Sequence, residues 1–426
     1  MHDTLTFPQY RYKVFMEHKL ELDIFTRVQT PHGIKAAIWT LVFGSFLVGT
    51  GEFGIMGMLP EFAHSLHLTI PEASGAVPAY AFGVVVGSPL FSIIGSSWQR
   101  RKLLLWLSII MFVGNVLSAA APTLPLIEAA RFLTGVPHGA FLGVGALVAA
   151  SVVDRSQRGR AIGRVLFGIM IAMTIGAPLS AFCAEHVGWR LCYAIVGFLG
   201  LILFLALWRN MPLDGNHKES SIRNELGGLV KLQVLLTLAT AAIGGGGLFE
   251  VYTFLTAALD HSLHFSNAWK MTFLVIWGLG MVFGNYIGGY LIDKSVDFTV
   301  IGSLTLGTVF LVGFSLTMHS AIFLGTVIFM LPATLIAITP ALQARLIEVA
   351  GEAQTLAASL NHSAFNMANA IGAGLGGFLV VHGYGYEALG WSGAVLSLAG
   401  LIIYCASMRI FKIQNLEVVP DFRTDD

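Results

Sequence analysis

Apolar stretches of twenty or more residues recur from about residue 36 to residue 409, and no other feature restricts the folding of this chain as strongly. A helix rises about 1.5 Å per residue and the hydrocarbon of a bilayer is about 30 Å thick, so each stretch is long enough to cross a membrane. Backbone groups in lipid must find partners within the protein, which a helix provides segment by segment. Composition agrees: 55% of the residues are apolar and 11% charged. A soluble chain carries about 25% charged residues, and so few charges cannot cover a water-exposed surface. The spans read as 36–60, 74–95, 103–122, 124–149, 161–183, 189–209, 233–258, 271–293, 299–318, 321–345, 355–382 and 388–409. The expected fold class is an all-α integral membrane protein with twelve transmembrane helices.

Five segments follow: a polar tail over 1–34, a six-helix half over 35–209, a charged linker over 210–232, a second six-helix half over 233–410 and a tail over 411–426. The first tail has no cleavable signal pattern, so the first span is expected to act as the insertion signal. With the N-terminus in the cytoplasm, 21 of the 24 Lys and Arg residues fall on cytoplasmic segments; Arg190 and Lys270 lie outside and Arg131 within a span. Cytoplasmic loops retain basic residues, so both termini are expected in the cytoplasm, which also requires an even number of spans. Net formal charge is zero, and the expected surroundings are a lipid bilayer rather than nucleic acid. Cys183, Cys192 and Cys405 show neither metal-ligand spacing nor a disulfide framework. No phosphate-binding loop or nucleophile elbow is present. Neither enzymatic activity nor a cofactor is expected, and ATP is not an expected energy source.

The two halves resemble each other. Gly176-Ala177-Pro178-Leu179-Ser180-Ala181-Phe182 recurs as Gly372-Ala373-Gly374-Leu375-Gly376-Gly377-Phe378, 196 positions on. Gly83 and Gly87 are echoed by Gly280 and Gly284 at an offset of 197, and Glu52 by Glu250 at 198. Repeats at offsets of 196 to 198 predict two six-helix pseudo-repeats, the arrangement of a secondary transporter with its site between them.

These residues resemble the major facilitator superfamily over about residues 36–410, and within it the drug/sugar efflux branch of proton antiporters that includes the arabinose-efflux (AraJ-type) permeases. Gly51-Glu52-Phe53-Gly54-Ile55-Met56-Gly57 with Leu59-Pro60 is similar to the opening helix of that branch. Ala129-Ala130-Arg131, Gly135 and His138-Gly139-Ala140 are similar to its fourth-helix arginine motif; Gly176, Pro178 and Gly188-Trp189-Arg190 to the fifth-helix motif associated with antiporters. Arg100-Arg101-Lys102, and Gly289 to Asp293-Lys294, occupy the two copies of the family's cytoplasmic loop motif; in the first, Ser92 and Ser96 replace its glycine and aspartate. The resemblance implies helices one, four, seven and ten around a central cavity, proton coupling and a functional monomer.

Polar groups within spans are then the candidate site. An ionised side chain at a helix centre costs about 2.5–3.5 kcal/mol on the insertion scale, so it persists when paired, protonated or solvated. Counting along the helices puts Glu52 and Glu250 about 6 Å, and Arg131 about 9 Å, to the outer side of the midplane, with His138 near the centre. The expectation is that Glu52, Arg131, His138 and Glu250 face one cavity, with Glu52 the leading proton carrier; the alternative is a structural Glu52–Arg131 ion pair. Arg131 reads either as a coupling or anion-binding group or as a pin between helices four and one. His138 suits proton handling, its ordinary pKa lying near 6.5. Gly135, Gly176 and Pro178 read as packing and flexing positions, and Arg100 and Arg101 with Asp293 as a cytoplasmic latch or as ordinary positive-inside charge. Asn361 and Asn366, beside His362, offer polar lining for the cavity or bonds between helices.

The expected function is proton-coupled export of a small organic solute, a sugar or drug-like molecule, across a bacterial inner membrane by alternating access. A rival within transport is uptake symport of a sugar or organic anion bound by Arg131. A rival from another class is a non-transporting receptor or scaffold, to which Ser96 gives slight support.

Overall fold

The computed structural model describes residues 30–95, 98–154, 157–212, 231–292, 294–350 and 354–417. Asp293, Ser96, most of the linker and most of both tails lie outside the described residues.

Among the described residues, twelve helices are long and apolar enough to cross a membrane, and each coincides with an expected span. They are α1 (Pro31–Gly57), α2 (Ile70–Phe91), α3 (Arg100–Ala120), α4 (Leu124–Ser151), α5 (Arg160–Val187) and α6 (Trp189–Asn210), then α7 (Leu232–Leu263), α8 (Asn267–Ile292), α9 (Val296–Thr317), α10 (Ala321–Ala350), α11 (Leu360–Val381) and α12 (Ala388–Ile413). Starts follow helix-capping chemistry. The Thr30 side chain accepts from the Gly33 N–H with Pro31 in the first turn, and Ser295 accepts from Phe298 ahead of α9. Phe198, Ile202 and Leu205 on α6 each expose half or more of their surface; a face this apolar is stable against lipid and not against water.

The repeat is visible as two matching glycine seams. A Cβ at Gly83 or Gly87 on α2 would strike the carbonyls of Phe132 and Val136 on α4. A Cβ at Gly280 or Gly284 on α8 would strike those of Phe329 and Ala333 on α10. Each residue of the first seam lies 197 positions before its mate in the second. Without a hydrophobic drive between helices in lipid, small residues let the backbones approach and gain dispersion contacts. Gly176 on α5 meets Thr50 on α1, and Gly372 on α11 meets the Gly246 carbonyl on α7, the same pairing one repeat later.

Between the halves, Phe53 stacks on Phe249 with centroids 6.5 Å apart and planes 6° from parallel. Thr256 donates to the Met56 carbonyl at 3.2 Å, and Gly278 of α8 lies against the Thr174 backbone of α5. α11 runs beside α2. Several crossing helices are interrupted at mid-depth: α4 at Val136–Pro137, α7 at Gly245, α10 at Ile336–Ala337, and α5 by a π-helical turn at Ala172–Gly176. Such turns cluster at functional sites because they re-aim side chains.

Candidate functional site

The break in α4 sets the geometry of the site. Pro137 ends one helix segment, and His138 opens the next one with its ring turned inward and 3% exposed. Its Nδ1 lies 3.3 Å from Oε2 of Glu52, itself 3% exposed on α1, and 3.1 Å from the Tyr80 hydroxyl on α2. The Tyr80 hydroxyl donates to the Val48 carbonyl at 3.3 Å. The other oxygen of Glu52, Oε1, accepts from Nδ2 of Asn369 on α11 at 3.2 Å. His362, two turns before Asn369, places its ring 6.5 Å from that of His138. Glu52 is thus held by His138 from its own half and by Asn369 from the other.

This arrangement has room for one mobile proton. With Glu52 ionised, the Nδ1–H of His138 donates to it. With Glu52 protonated, its O–H donates to the bare Nδ1 of the other tautomer. The bond from Asn369 is charge-assisted in the first state and neutral in the second, where it is roughly half as strong. A proton on Glu52 therefore loosens a tie between the halves.

Arg131 lies next to this pair but does not bind its carboxylate. Fully buried, it donates to the carbonyls of Gly51, Glu52 (3.2 Å) and Ala76 (3.5 Å). Its guanidinium sits 4.5 Å from the Tyr80 ring centroid and 5.4 Å from that of Tyr193. The geometry is that of a pin between α4, α1 and α2, with its fork spent on backbone. Gly135, one turn on from Arg131, lies against the Tyr80 carbonyl, so its missing side chain is what lets α2 bring the Tyr80 hydroxyl to His138.

Glu250 stands elsewhere. It is fully buried and one of its oxygens accepts from the Ser392 hydroxyl on α12 at 2.5 Å; the other has no partner among the described residues. Glu52 precedes Phe53 and Glu250 follows Phe249, the two rings whose stack joins α1 to α7. The neighbouring glycines serve close approach to α12, Gly247 against Gly393 and Gly244 against Gly400. Asn361 donates to the Thr339 carbonyl at 3.4 Å and Asn366 to that of His362 at 3.1 Å; the carbonyl oxygens of both side chains are buried without a partner among the described residues. Gly176 closes the π turn against Thr50, and Pro178 sits in the first turn of the helix that follows. Arg101 is buried and donates to the Trp208 carbonyl at the end of α6, while Arg100 is half-buried. Asp293, the acidic member of the expected latch, lies outside the described residues.

Of the four residues expected to share a cavity, Glu52 and His138 meet, Arg131 braces them from behind, and Glu250 points to α12. The partners came instead from α2 and α11. Tyr80 and Asn369 were missed, although each left a trace in the sequence. His362, Asn366 and Asn369 repeat at i, i+4 and i+7, one face of a helix. Tyr80 lies 197 positions before Trp277, which stacks on Tyr252 at 5.0 Å on the other side of the repeat.

Comparison with known proteins agrees with this architecture. Residues 41–355 match the sequence model of the Major Facilitator Superfamily. The inner membrane transport protein YdhP of Escherichia coli is 35% identical over 376 residues, covering 88% of this chain and 97% of that protein. The putative transporter AraJ of the same organism is 28% identical, covering 86% and 94%. The chloramphenicol resistance protein of Streptomyces lividans is 25% identical over the same shares. Among solved structures, the nucleoside transporter NupG superposes with a TM-score of 0.68 at 13% identity, covering 88% of this chain and 99% of that one, a likeness of fold alone.

Proposed function

The chain belongs to the major facilitator superfamily, and from that premise we propose that it exports a small organic solute, a sugar or drug-like molecule, in exchange for protons. It is a multi-pass membrane transporter; its relatives are transport proteins and not enzymes. The observation that carries proton coupling is the tie of Glu52 to His138 in one half and to Asn369 in the other. A proton arriving at Glu52 from outside weakens the Asn369 bond and lets the halves part; its release toward the cytoplasm restores the bond. A gradient of 100 mV supplies about 2.3 kcal/mol per charge, enough to drive a solute uphill.

Efflux is supported by the Gly176/Pro178 motif and by a relative named for chloramphenicol resistance. Placement in a bacterial inner membrane follows YdhP, whose name states it, and cytoplasmic termini follow the basic residues. The two halves, 35–209 and 233–410, rock about the 210–232 linker as a monomer. Uptake of an organic anion through Arg131 fits the geometry less well, since that guanidinium is already occupied by three carbonyls.

The test is proton movement in proteoliposomes challenged with a panel of sugars and cationic and neutral drugs, wild type beside Glu52→Gln. Substrate-triggered proton flux in wild type, reduced at least about a hundredfold in the variant as for loss of a proton-transfer group, is the expected result. Proton flux unchanged in Glu52→Gln moves the role to Glu250; no flux from folded wild type with any compound removes the proposal of proton-coupled export for those compounds.

A further inference from the structure

Lys270 is one of only two basic residues that the charge reading places outside, and its surroundings are unusual. At the end of the bundle opposite the linker, a cavity opens between the halves, lined by Gly57, Glu61 and Glu185 on one side and by Thr256, Lys270 and Met271 on the other. Lys270, on α8, is 8% exposed, and its Nζ lies 3.3 Å from Oδ1 of Asp260 on α7. Glu61 belongs to the short helix Leu59–Ser65 that follows α1, and Glu185 to the end of α5. One ammonium from one half therefore sits among three carboxylates, two of them from the other half.

We propose that Lys270 with Glu61, Glu185 and Asp260 forms a charged latch that holds this mouth shut, and that the grip of the latch depends on pH. Lys270 is anchored to its own half by Asp260, so its attraction to Glu61 and Glu185 acts across the seam; at Glu61 that attraction only partly offsets burial and the neighbouring carboxylates, so the grip is strongest with Glu61 protonated and Glu185 ionised. If the mouth opens, Glu61 and Glu185 move away from Lys270 and Asp260 as the halves separate. The cavity lining includes Gly57, one turn beyond Phe53, and Thr256, two turns beyond Phe249, so the latch guards the approach to the centre.

The pH dependence enters through Glu61. Burial holds its carboxyl above the usual carboxylate range; its own backbone N–H and Lys270 pull it down, while Glu185 and Asp260 push it up. Other charged groups nearby are His64 on the same helix, Glu72 at the start of α2, which is bonded to Thr69, His186, which lies 3.9 Å from Glu185, and His261 beside Tyr386. Opening returns water to Glu61 and lets its carboxyl fall toward its ordinary value. The closed mouth thus binds the proton more tightly. Closure is favoured as pH falls through the range of Glu61, and opening is favoured as pH rises through it. This latch does not rest on proton coupling at Glu52; it requires only that the mouth opens and closes.

The experiment reads opening directly, in lipid nanodiscs, where reagent and pH reach both faces. With Cys183, Cys192 and Cys405 replaced by alanine, a single Thr256→Cys on the cavity floor is labelled with a membrane-impermeant maleimide between pH 5 and 8. Rates are corrected by a free thiol under the same conditions, and Met271→Cys serves as a second probe should the first variant misfold. The corrected rate is expected to rise with pH. In Lys270→Met it should be about fivefold faster at the alkaline end, the size of a partly exposed ion pair. In Glu61→Gln, a neutral mimic of the protonated acid, it should be slow and nearly flat with pH. A corrected rate indifferent to pH and to both substitutions overturns the latch, as does faster labelling in Glu61→Gln.

Discussion

At the residue scale, burial and partner decide what a polar group in lipid does. Glu52 and Arg131 are both buried charged residues and are adjacent in space, yet the Glu52 carboxylate and the Arg131 guanidinium do not form an ion pair. Arg131 donates to the carbonyls of Gly51, Glu52 and Ala76, while the Glu52 carboxylate turns to His138 and Asn369. Arg131→Lys keeps the charge and loses the planar fork, so it is expected to lower stability by about 1–3 kcal/mol. Thermal unfolding of the purified variant in detergent measures this; an unchanged melting temperature would show that the pin is dispensable. The candidate acid and histidine were legible in the sequence because ionisable residues are rare in such spans. Asn369 was not: its place on a polar face with His362 and Asn366 shows in the sequence, but nothing there relates position 369 to position 52.

At the element scale, the twelve helices were legible from length and apolarity, while their interruptions have local causes. Pro137 breaks α4 and Gly245 breaks α7, both in stretches that announce it. The π turn in α5 has a cause that spacing alone conceals. Pro178 has no N–H, so the Thr174 carbonyl lacks its ordinary helical donor, and the Ala177 N–H bonds back to Ala172. The seams between helices depend on glycine for a different reason, which is contact. Gly83→Ala drives a methyl into the Phe132 carbonyl, and overpacking of this kind costs about 1–3 kcal/mol. Gly289→Ala is the matched control: nothing lies within 4 Å of its added Cβ, and helix propensity favours alanine by up to about 1 kcal/mol. Unfolding in detergent should therefore show Gly83→Ala destabilised and Gly289→Ala neutral or slightly stabilised. Equal stability of the two variants would mean that the α2–α4 seam yields without cost.

At the scale of the whole molecule, the repeat offset made the two halves legible, but the contacts between them were not, since an offset relates equivalent positions and does not say which helices meet: α1 faces its own mate α7, whereas α5 meets α8 and α1 meets α11, which are not mates. Among the described residues those contacts include the packing of α11 beside α2, an aromatic stack at Phe53 and Phe249, a close approach of Gly278 to Thr174, and the bonds from Thr256 to Met56 and from Asn369 to Glu52. The proposed opening and closing requires a seam that is not too strong, and joining the halves in one chain keeps the partners at a high effective concentration, in the millimolar range for short connections. Cutting the chain within 213–230 removes that help while leaving in place every seam contact among the described residues. Confinement of both pieces to one membrane offsets part of the loss. Co-expressed as separate chains, the two halves are therefore expected to copurify in mild detergent, in reduced yield compared with the intact chain. Adding Gly278→Leu, which drives a large side chain into α5, should abolish copurification while each half still inserts. Halves that insert but never associate, even with the seam unaltered, would show that the linker contributes contacts of its own and is more than a tether.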